Sequence, residues 1–344
     1  MKLRDLGRTG VQVSPLCLGT MMFGALGNTD HDACVRMVHA ALDAGVNFVD
    51  TADMYGAGET EEIVGKALAG RRDGVVLATK VHFPMPGELG SGGNSRRWII
   101  RACEHSLRRL GTDWIDLYQL HRPDPAVDVA ESLGALDDLV RAGKVRYAGT
   151  STFPAHQIVE GQWAAQRRGS GRFVTEQPPY SLLARGVEAD VLPVCEQYGL
   201  GVLTWSPLAG GWLSGRYRAD APHEPGHRER LMPALYDATA PHNAKLLAAA
   251  DAFGKLAAET GVPLIHLALA FVLQHPAVTS VIIGPRTAEQ LTGQLDAHGV
   301  RLEPAVLDAI DGIVRPGQTL LPAESIWQPP ALADKRLRRR PARV

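Results

Sequence analysis

Four side chains with complementary acid–base chemistry stand at or just beyond the ends of short apolar runs. Asp50, Tyr55, Lys80 and His121 supply a carboxylate, a phenol, an ammonium and an imidazole. A phenol alone is a poor acid near neutral pH, because its pKa is about 10. A neighbouring ammonium favours the phenolate, a carboxylate keeps that ammonium protonated, and an imidazole can hydrogen-bond a carbonyl oxygen. Such a set can give a proton to an oxygen that gains negative charge, but it needs a separate hydride donor to carry out a reduction.

Each of these residues also has a plain structural alternative. Asp50 and Lys80 could form a structural ion pair, Tyr55 could be a turn aromatic, and His121 could cap the loop that follows it. The occurrence of all four at strand ends favours the functional interpretation, because the carboxyl ends of barrel strands carry the active site.

The elements that would position these residues alternate between two patterns. Short runs rich in β-branched residues predict parallel strands, and the longer segments between them have helical periodicity. The predicted strands are Leu16–Gly19, Val46–Asp50, Val75–Lys80, Ile115–Leu120, Val145–Thr150, Phe173–Gln177, Gly201–Trp205 and Ser280–Ile283. The clearest predicted helices are Ala33–Asp43, Glu59–Leu68, Arg97–Leu110, Val129–Arg141 and Pro154–Gln166.

Eight such units predict an α/β fold, a single (β/α)8 TIM barrel over residues 1–320, followed by a basic, proline-punctuated tail over 321–344. The length of 344 residues also fits two domains. However, no glycine-rich G-x-G-x-x-G turn links a first strand to a helix, as a doubly wound dinucleotide fold would require. Residues 1–14 predict a hairpin that plugs the bottom of the barrel. Residues 207–243 form a long loop after strand seven, and Leu302–Val314 predicts an extra helix.

Composition and charge narrow the class of protein. With 45% hydrophobic and 21% charged residues the chain is globular, and its net charge of −1 argues against nucleic acid or an anionic membrane as partner. The tail from Asp334 carries a charge of +5 against −6 elsewhere, which fits a solvated terminus better than a binding segment. Four dispersed cysteines, an N-terminus without an apolar leader and no apolar run of membrane-spanning length predict a cytoplasmic protein. The oligomeric state is left open.

Several longer motifs resemble the aldo-keto reductases, and the layout is closest to their potassium-channel β-subunit branch. The motifs are DTADMYGAGETEEIVGKAL, LATK, YQLHRPDP, GTST, EQPPYSLLAR, TWSPLAGGWLSG and VIIGPRTAEQL. The resemblance implies a barrel that binds NADPH across its rim, and a tetrad of Asp50, Tyr55, Lys80 and His121 with Tyr55 as proton donor. The channel branch often departs at the histidine position. This chain keeps His121, which favours an ordinary reductase over a sensor.

The resemblance also assigns cofactor contacts. Ser151 and Gln177 would hold the nicotinamide carboxamide, Trp205 would stack on the ring, and Arg286 at a helix start favours NADPH over NADH. The full set is Gly19, Thr20, Met21, Asp50, Ser151, Thr152, Gln177, Trp205, Ser206, Pro207, Leu208, Gly210, Arg216, Gly284, Arg286, Gln290 and Gln294. Gln294 departs from the family pattern, which usually has an asparagine there for adenine. Arg286 could also be an ordinary surface residue, and Trp205 a core residue.

The substrate is predicted only as a small-molecule carbonyl compound, an aldehyde or a ketone. The expected pocket is lined by Met22, Phe23, Met54, Tyr55, Phe83 and His121, with Trp327 of the tail as a possible cover. Two narrower alternatives are a reductase of nucleotide-linked keto-deoxysugars and a slow-turnover, NADPH-sensing regulatory protein. A metal-dependent lyase or hydrolase is disfavoured and no metal site is predicted, since only Asp50 and His121 are suitable ligands. His223, Arg228 and Arg230 of the long loop are expected to be solvated or to contact cofactor phosphates.

Overall fold

The alternating runs form a closed barrel of eight parallel strands in a computed structural model that describes residues 1–218, 225–332 and 334–338. The barrel strands, in chain order, are β3 (Leu16–Gly19), β4 (Phe48–Asp50), β5 (Val76–Val81), β6 (Ile115–Leu120), β7 (Val145–Ser151), β8 (Phe173–Gln177), β9 (Gly201–Thr204) and β10 (Val278–Ile283). Each strand pairs with its neighbours in sequence, and β10 pairs with β3 to close the ring. The predicted (β/α)8 barrel is confirmed.

Helices of the outer layer connect these strands. The helices up to the long loop are α1 (His31–Asp43), α2 (Glu59–Leu68), α3 (Arg96–Leu110), α4 (Val129–Arg141), α5 (Ala155–Arg168) and α6 (Val191–Tyr198). The later ones are α7 (His227–Leu231), α8 (Pro233–Tyr236), α9 (Ala244–Thr260), α10 (Leu264–Gln274), α11 (Ala288–Leu295), α12 (Pro304–Ile313) and α13 (Lys335–Arg338). The extra helix predicted near the C-terminus is α12. Gly111 ends α3 with φ of 61°, a left-handed conformation that glycine adopts without strain.

An N-terminal hairpin closes the amino end of the barrel, as predicted. Its strands β1 (Arg4–Asp5) and β2 (Gln12–Val13) pair antiparallel. Leu6 and Val13 of this hairpin are completely buried against the barrel interior. A side chain at Gly7 would place its Cβ 2.8 Å from the backbone nitrogen of Gly201, the first residue of β9. The hairpin backbone therefore packs directly under the strands and leaves only the carboxyl ends open for a site.

Three predicted strands extend beyond the observed bounds. Val75 precedes β5, and its N–H donates to the Arg72 carbonyl at 3.1 Å. Val46 does not begin β4, because its N–H closes the end of α1 on the carbonyl of Ala41 at 3.0 Å. Trp205 does not continue β9. Its N–H bonds to the Pro178 carbonyl at 3.0 Å, so the backbone bends toward the loop after β8. None of these hydrogen bonds changes the hydrophobic periodicity of the sequence, so the sequence alone does not indicate these strand ends.

Close packing inside the barrel leads to a test of stability. A Cβ at Gly149 in β7 would lie 2.1 Å from Oγ1 of Thr175 on β8, whereas a Cβ at Gly254 in α9 would meet nothing within 4 Å. Gly149→Ala should lower the free energy of unfolding by about 1–3 kcal/mol through overpacking. Gly254→Ala should raise it by roughly 0.5–1 kcal/mol through helix propensity. Urea unfolding of both variants measures the two effects, and shifts of the same sign would contradict this account of the β7–β8 contact.

Candidate active site

The candidate site residues lie one layer above the lower core of the barrel. The inward-facing side chains of that lower layer are Cys17, Phe48, Ala78, Leu117, Leu203 and Ile282. The residues two positions further along the chain are Gly19, Asp50, Lys80, Gln119, Trp205 and Gly284. Because side chains alternate along a strand, Gly19, Asp50, Lys80 and Gln119 share the interior parity, while Trp205 and Gly284 directly follow the carboxyl ends of β9 and β10. Barrel topology thus brings residues from six strands to one rim.

Asp50, Lys80 and Tyr55 form a hydrogen-bonded chain at this rim. The Lys80 Nζ atom lies 2.5 Å from Oδ2 of Asp50 and 2.7 Å from the carbonyl oxygen of Thr51. The same Nζ atom is 3.4 Å from the hydroxyl of Tyr55 and 5.1 Å from the centroid of its ring. Lys80 is completely buried and Asp50 is 3% exposed. The ammonium is therefore fixed between the carboxylate and the phenol.

The charge state of Lys80 follows from two opposing effects. Burial lowers the pKa of Lys80, but the nearby Asp50 carboxylate and Tyr55 hydroxyl raise the pKa by more, so the net shift is above the usual lysine value. Lys80 is consequently an ammonium at neutral pH. It can stabilise negative charge on the Tyr55 oxygen without losing its own proton.

Two amides hold the far side of Asp50. Nε2 of Gln177 donates to Oδ1 of Asp50 at 2.8 Å, and Nε2 of Gln119 reaches the same oxygen at 3.4 Å. The carboxylate thus accepts from Lys80 on one oxygen and from amides on the other. Gln119 was not predicted, although its inward parity beside Leu117 was a usable signal.

His121 lies beside the phenol as an uncharged ring. Its centroid is 5.9 Å from that of Tyr55 and 5.0 Å from that of Phe83, both with edge-on geometry. Burial lowers the pKa of His121 well below the usual value, and the positive charges of Lys80 and Arg122 lower it further. Its Nδ1 atom is buried and has no hydrogen-bond partner among the described residues. A neutral imidazole here can offer one N–H to a carbonyl oxygen.

The predicted nicotinamide residues surround this centre. Ser151 and Gln177 are register partners on β7 and β8, and the Ser151 hydroxyl donates to the Gln177 backbone carbonyl at 2.9 Å. Thr152 follows with φ of 63° and donates its N–H to the same carbonyl at 3.1 Å. Trp205 is half-buried, and its indole Nε1 has no partner within the described chain. The structure therefore places these four residues at adjoining strand ends.

The loop after β9 carries the residues predicted for the pyrophosphate. The Ser206 hydroxyl accepts the N–H of Gly210 at 3.1 Å, and both residues have positive φ. A Cβ at Gly210 would lie 2.2 Å from the Tyr236 ring, so glycine is required there for packing within the protein. Pro207 is buried and Leu208 half-buried. Arg216 is exposed further along, and its guanidinium lies against Gly226.

The described part of the long loop after residue 224 contacts the segment that follows β3. His227 at the start of α7 contacts the carbonyl of Leu26 through Nε2 at 2.9 Å. Arg228 hydrogen-bonds Tyr236, and Arg230 donates to the carbonyl of Pro225 at 3.0 Å. His223 lies outside the described residues.

The residues predicted for the adenosine end lie after β10. Gly284 is exposed, and the N–H of Arg286 donates to Oε1 of Gln290 at 2.8 Å, which shapes the turn into α11. The Arg286 side chain is half-buried and pairs with no carboxylate among the described residues. Gln294 is 5% exposed, so its amide is packed on the inner face of α11.

Of the cofactor and pocket residues predicted at the end of β3, some are buried in the core and others lie at the rim. Gly19 pairs with Asp50, and a Cβ there would lie 2.5 Å from the Ile282 side chain. Thr20 is buried with its hydroxyl on the Asp50 carbonyl at 3.0 Å, while Met21 is half-buried. Phe23 is completely buried in the core and Met22 is 7% exposed.

After the adjacent strands β4 and β5, Met54 and Phe83 are half-buried near Tyr55 and His121. Of the predicted pocket residues, these two therefore offer the most surface to a substrate next to the tetrad. Phe23 offers none.

A segment near the C-terminus also reaches the rim, which sequence reasoning suggested only for Trp327. The Trp327 N–H donates to the Thr152 carbonyl at 3.1 Å. Glu324 is 3% exposed and accepts a hydrogen bond from the Ser206 hydroxyl. Burial raises the pKa of Glu324 to about 8, although Ser206 and Arg228 favour the carboxylate. Glu324 was not predicted, and no spacing signal links it to a serine in a distant loop.

The raised pKa of Glu324 gives a pH-dependent contribution to stability. Between the usual glutamate pKa and about 8 the folded protein holds a proton that the unfolded chain has lost, so stability falls as pH rises through this window. The slope is up to about 1.4 kcal/mol per pH unit. The glutamine of Glu324→Gln resembles the protonated acid and does not titrate. The free energy of unfolding of this variant, relative to that of the unsubstituted protein, should therefore be higher at about pH 8.5 than at about pH 5.

Urea unfolding at both pH values measures this change, and Glu62→Gln on the exposed face of α2 is the matched control. A stability difference that stays constant with pH for Glu324→Gln would contradict the assignment.

Within 1–218, 225–332 and 334–338, no group of three or more His, Cys, Asp or Glu side chains is arranged to hold a metal ion. Over the same residues no single helix has the length and apolar character needed to cross a bilayer. Residues Pro241–Thr260 and α10 reach that length only together, across a bend of 95°.

Comparison with known proteins agrees with this geometry. The sequence profile of the Aldo/keto reductase family matches residues 15–315. "Uncharacterized oxidoreductase YrpG" of Bacillus subtilis (strain 168) is 41% identical over 326 residues, which covers 91% of this chain and 96% of the relative. A "Probable voltage-gated potassium channel subunit beta" of Oryza sativa subsp. japonica is 35% identical, covering 92% and 97%. "Aldo-keto reductase YhdN" of Bacillus subtilis (strain 168) is 34% identical, covering 87% and 89%.

The profile match extends over all eight barrel strands and the rim residues from Gly19 to Gln294. The chain therefore belongs to the Aldo/keto reductase family, whose members are oxidoreductases that act on carbonyl compounds.

Proposed function

We propose that this protein reduces an aldehyde or a ketone to the alcohol with NADPH as the hydride donor, and that Tyr55 is the proton donor. The observation that carries the proposal is the buried chain from Asp50 through Lys80 to the Tyr55 hydroxyl, next to a neutral His121. It combines a proton source, a fixed positive charge and a carbonyl-orienting ring in one place, which is what carbonyl reduction requires of a protein.

The roles of the four residues follow from their positions. The N–H of His121 orients the substrate carbonyl and polarises it. As charge develops on that oxygen, the Tyr55 hydroxyl transfers its proton, and the Lys80 ammonium stabilises the phenolate that remains. Asp50 keeps Lys80 charged and in place. Bound NADPH supplies the hydride, which no side chain can provide.

The residues at the rim fit a nicotinamide dinucleotide. The buried Nδ1 of His121 and Nε1 of Trp205 lack hydrogen-bond partners within the described chain, and both residues stand at the rim where substrate and nicotinamide ring are expected. Ser151 and Gln177 would hold the carboxamide and Trp205 the ring. Ser206 to Gly210 with Arg216 would hold the pyrophosphate. The remaining predicted residues, at the ends of β3 and β10, would contact the other parts of the cofactor. Gln294 is buried, which supports a packing role in place of a direct adenine contact.

Arg286 provides a test of cofactor preference. A guanidinium at the start of α11 without a carboxylate partner among described residues is suited to a 2′-phosphate. Arg286→Gln should raise KM for NADPH about ten- to a hundred-fold and leave KM for NADH nearly unchanged. Initial rates with both cofactors measure the two values. An equal effect on NADPH and NADH would assign Arg286 to structure alone.

The reaction class is tested by NADPH oxidation, followed by absorbance, against aldehydes, ketones, quinones and nucleotide-linked keto-deoxysugars, with cofactor binding measured in parallel by fluorescence quenching. Turnover with a simple carbonyl compound supports the proposal. Turnover confined to nucleotide sugars would make this a specialised sugar reductase. Tight NADPH binding without turnover would favour a sensing role, as the relatives named channel subunits suggest. Absence of NADPH binding would overturn the proposal.

A further inference from the structure

One charged side chain at the rim has no role in the chemistry described so far. Arg122 directly follows His121, at the carboxyl end of β6. Its guanidinium carbon lies 5.7 Å from the ring centroid of Phe83 and 5.9 Å from that of Trp205. Since Phe83 also contacts His121 at 5.0 Å, the cation and the carbonyl-orienting imidazole border the same aromatic surface.

The guanidinium is fixed in place by its protein contacts. Nη1 donates to the His121 carbonyl at 2.6 Å and to Oγ1 of Thr152 at 2.8 Å. Both contacts use the same nitrogen. The described residues contain no hydrogen-bond acceptor for Nη2 or Nε, so the rest of the planar fork, which suits carboxylate and phosphate oxygens, remains available.

Three other buried arginines each have a carboxylate partner, and Arg122 has none among the described residues. Arg72 pairs with Asp116 at 2.6 Å, Arg109 with Glu61 at 2.7 Å, and Arg185 with Glu188 at 2.8 Å. Arg122 is half-buried and forms no ion pair with a described carboxylate. Burial lowers the pKa of Arg122 from its usual value, which reflects the cost of removing this charge from water. The Tyr55 hydroxyl and the Glu176 carboxyl offset part of this cost, but neither forms a direct ion pair with Arg122, so an anionic ligand would still stabilise the cation.

The cofactor's phosphates are poorly placed to be that anion. The residues proposed to hold them follow β9 and β10, and β6 stands directly opposite β10 in the ring of eight strands. The neighbours of Arg122 are instead Phe83 and His121, which border the proposed carbonyl position, and Thr152 and Trp205, which are proposed to contact the nicotinamide end of the cofactor. A ligand on Arg122 therefore occupies the substrate side of the site.

We propose that Arg122 binds a carboxylate or phosphate carried by the carbonyl substrate, so that the preferred substrates are anionic aldehydes or ketones. This inference rests on the proposed reductase function and specifies its substrate class. The anion contacts the free edge of the guanidinium, and the carbonyl reaches His121 and Tyr55 past the face of Phe83. Met54 and Phe83 provide the apolar surface between the two ends.

Matched substrates separate the effect of charge from that of shape. 4-Carboxybenzaldehyde is compared with its methyl ester, and 4-formylphenyl phosphate with 4-methoxybenzaldehyde, so that the two pairs distinguish a carboxylate from a phosphate. For the unsubstituted protein we expect kcat/KM for at least one anionic substrate to exceed that of its neutral partner about tenfold or more. Arg122→Gln should lower kcat/KM for the anionic substrate about ten- to a hundred-fold, mainly by raising KM. It should leave kcat/KM for the neutral partner nearly unchanged. Arg122→Lys should retain part of the preference.

Arg146→Gln is the charge-matched control, because Arg146 is exposed at the amino end of the same β7 that ends near Thr152. It should keep the full preference for the anion. If Arg122→Gln reduces turnover of charged and neutral substrates equally, Arg122 only positions His121 and Thr152 and the proposal is wrong. Absence of any anion preference in the unsubstituted protein would overturn it as well.

A binding measurement keeps this test independent of turnover. Benzoate is not reduced, and its binding to the NADPH complex can be followed by tryptophan fluorescence, because one of the six tryptophans, Trp205, lies near the guanidinium. Benzoate affinity that falls about tenfold or more in Arg122→Gln supports the anion site even if no carbonyl compound is reduced, in which case only the proposed reaction fails. Equal benzoate affinity in both proteins would refute the anion site whatever the turnover.

Discussion

Tyr55→Phe is expected to lower kcat by about 10²–10⁴-fold or more while the dissociation constant for NADPH changes only a few-fold. The substitution removes one hydroxyl and keeps the ring, whose packing against Lys80 and His121 at 5.1 Å and 5.9 Å does not depend on the oxygen. Without the phenol, hydride addition would create an alkoxide with no adjacent proton donor. Because His121 is neutral and Lys80 is held by Asp50, neither can take over that proton transfer at low cost.

Single-turnover NADPH oxidation measures the chemical step, and fluorescence quenching measures cofactor affinity. Tyr147→Phe is the matched control, since Tyr147 lies at the third position of β7, below the rim, and loses the same atom. Retained turnover in Tyr55→Phe would show that another group donates the proton. Loss of NADPH binding in the same variant would place Tyr55 in the cofactor site and remove it from the proton-transfer step.

The sequence predicted those parts of the molecule that depend on local pattern. Alternation of β-branched runs and helical segments predicts the barrel, and the strand parity that buries Phe48 and Ala78 places Asp50 and Lys80 on the same interior face. The same rule applied to Leu117 would have identified Gln119. For Asp50, Lys80 and Gln119, the strand parity and the barrel fold are together enough to predict that the side chain points into the barrel.

The contacts that sequence reasoning missed join segments far apart in the chain. Glu324 bonds to Ser206 across 118 positions, and Arg122 gains its importance from Phe83 and Trp205, which come from other strands. Phe23 was predicted in the pocket because it follows a strand end, but the turn after β3 directs it into the core. Periodicity describes which face a residue takes within its own element. It carries no information about the loop conformations that bring distant elements together.

Lys80→Met should both abolish turnover and destabilise the fold, by about 3–5 kcal/mol. The substitution leaves the Asp50 carboxylate, which is 3% exposed, with amide donors from Gln177 and Gln119 but no counter-charge. Lys66→Met removes a lysine–aspartate pair of similar length, 2.7 Å, from the surface of α2, where both side chains are well exposed. That control should cost less than about 1 kcal/mol, because exposed ion pairs contribute little.

The double variant Asp50→Asn/Lys80→Met separates the two roles of Lys80. Since the neutral amide no longer needs a counter-charge, part of the lost stability should return, while turnover should stay absent because nothing stabilises the Tyr55 phenolate. Urea unfolding and NADPH oxidation measure the two effects on the same protein. Recovery of turnover together with stability would mean that Lys80 acts only by folding the site. Stability recovered without turnover would assign the ammonium to the proton-transfer step, where its 3.4 Å distance from the phenol places it.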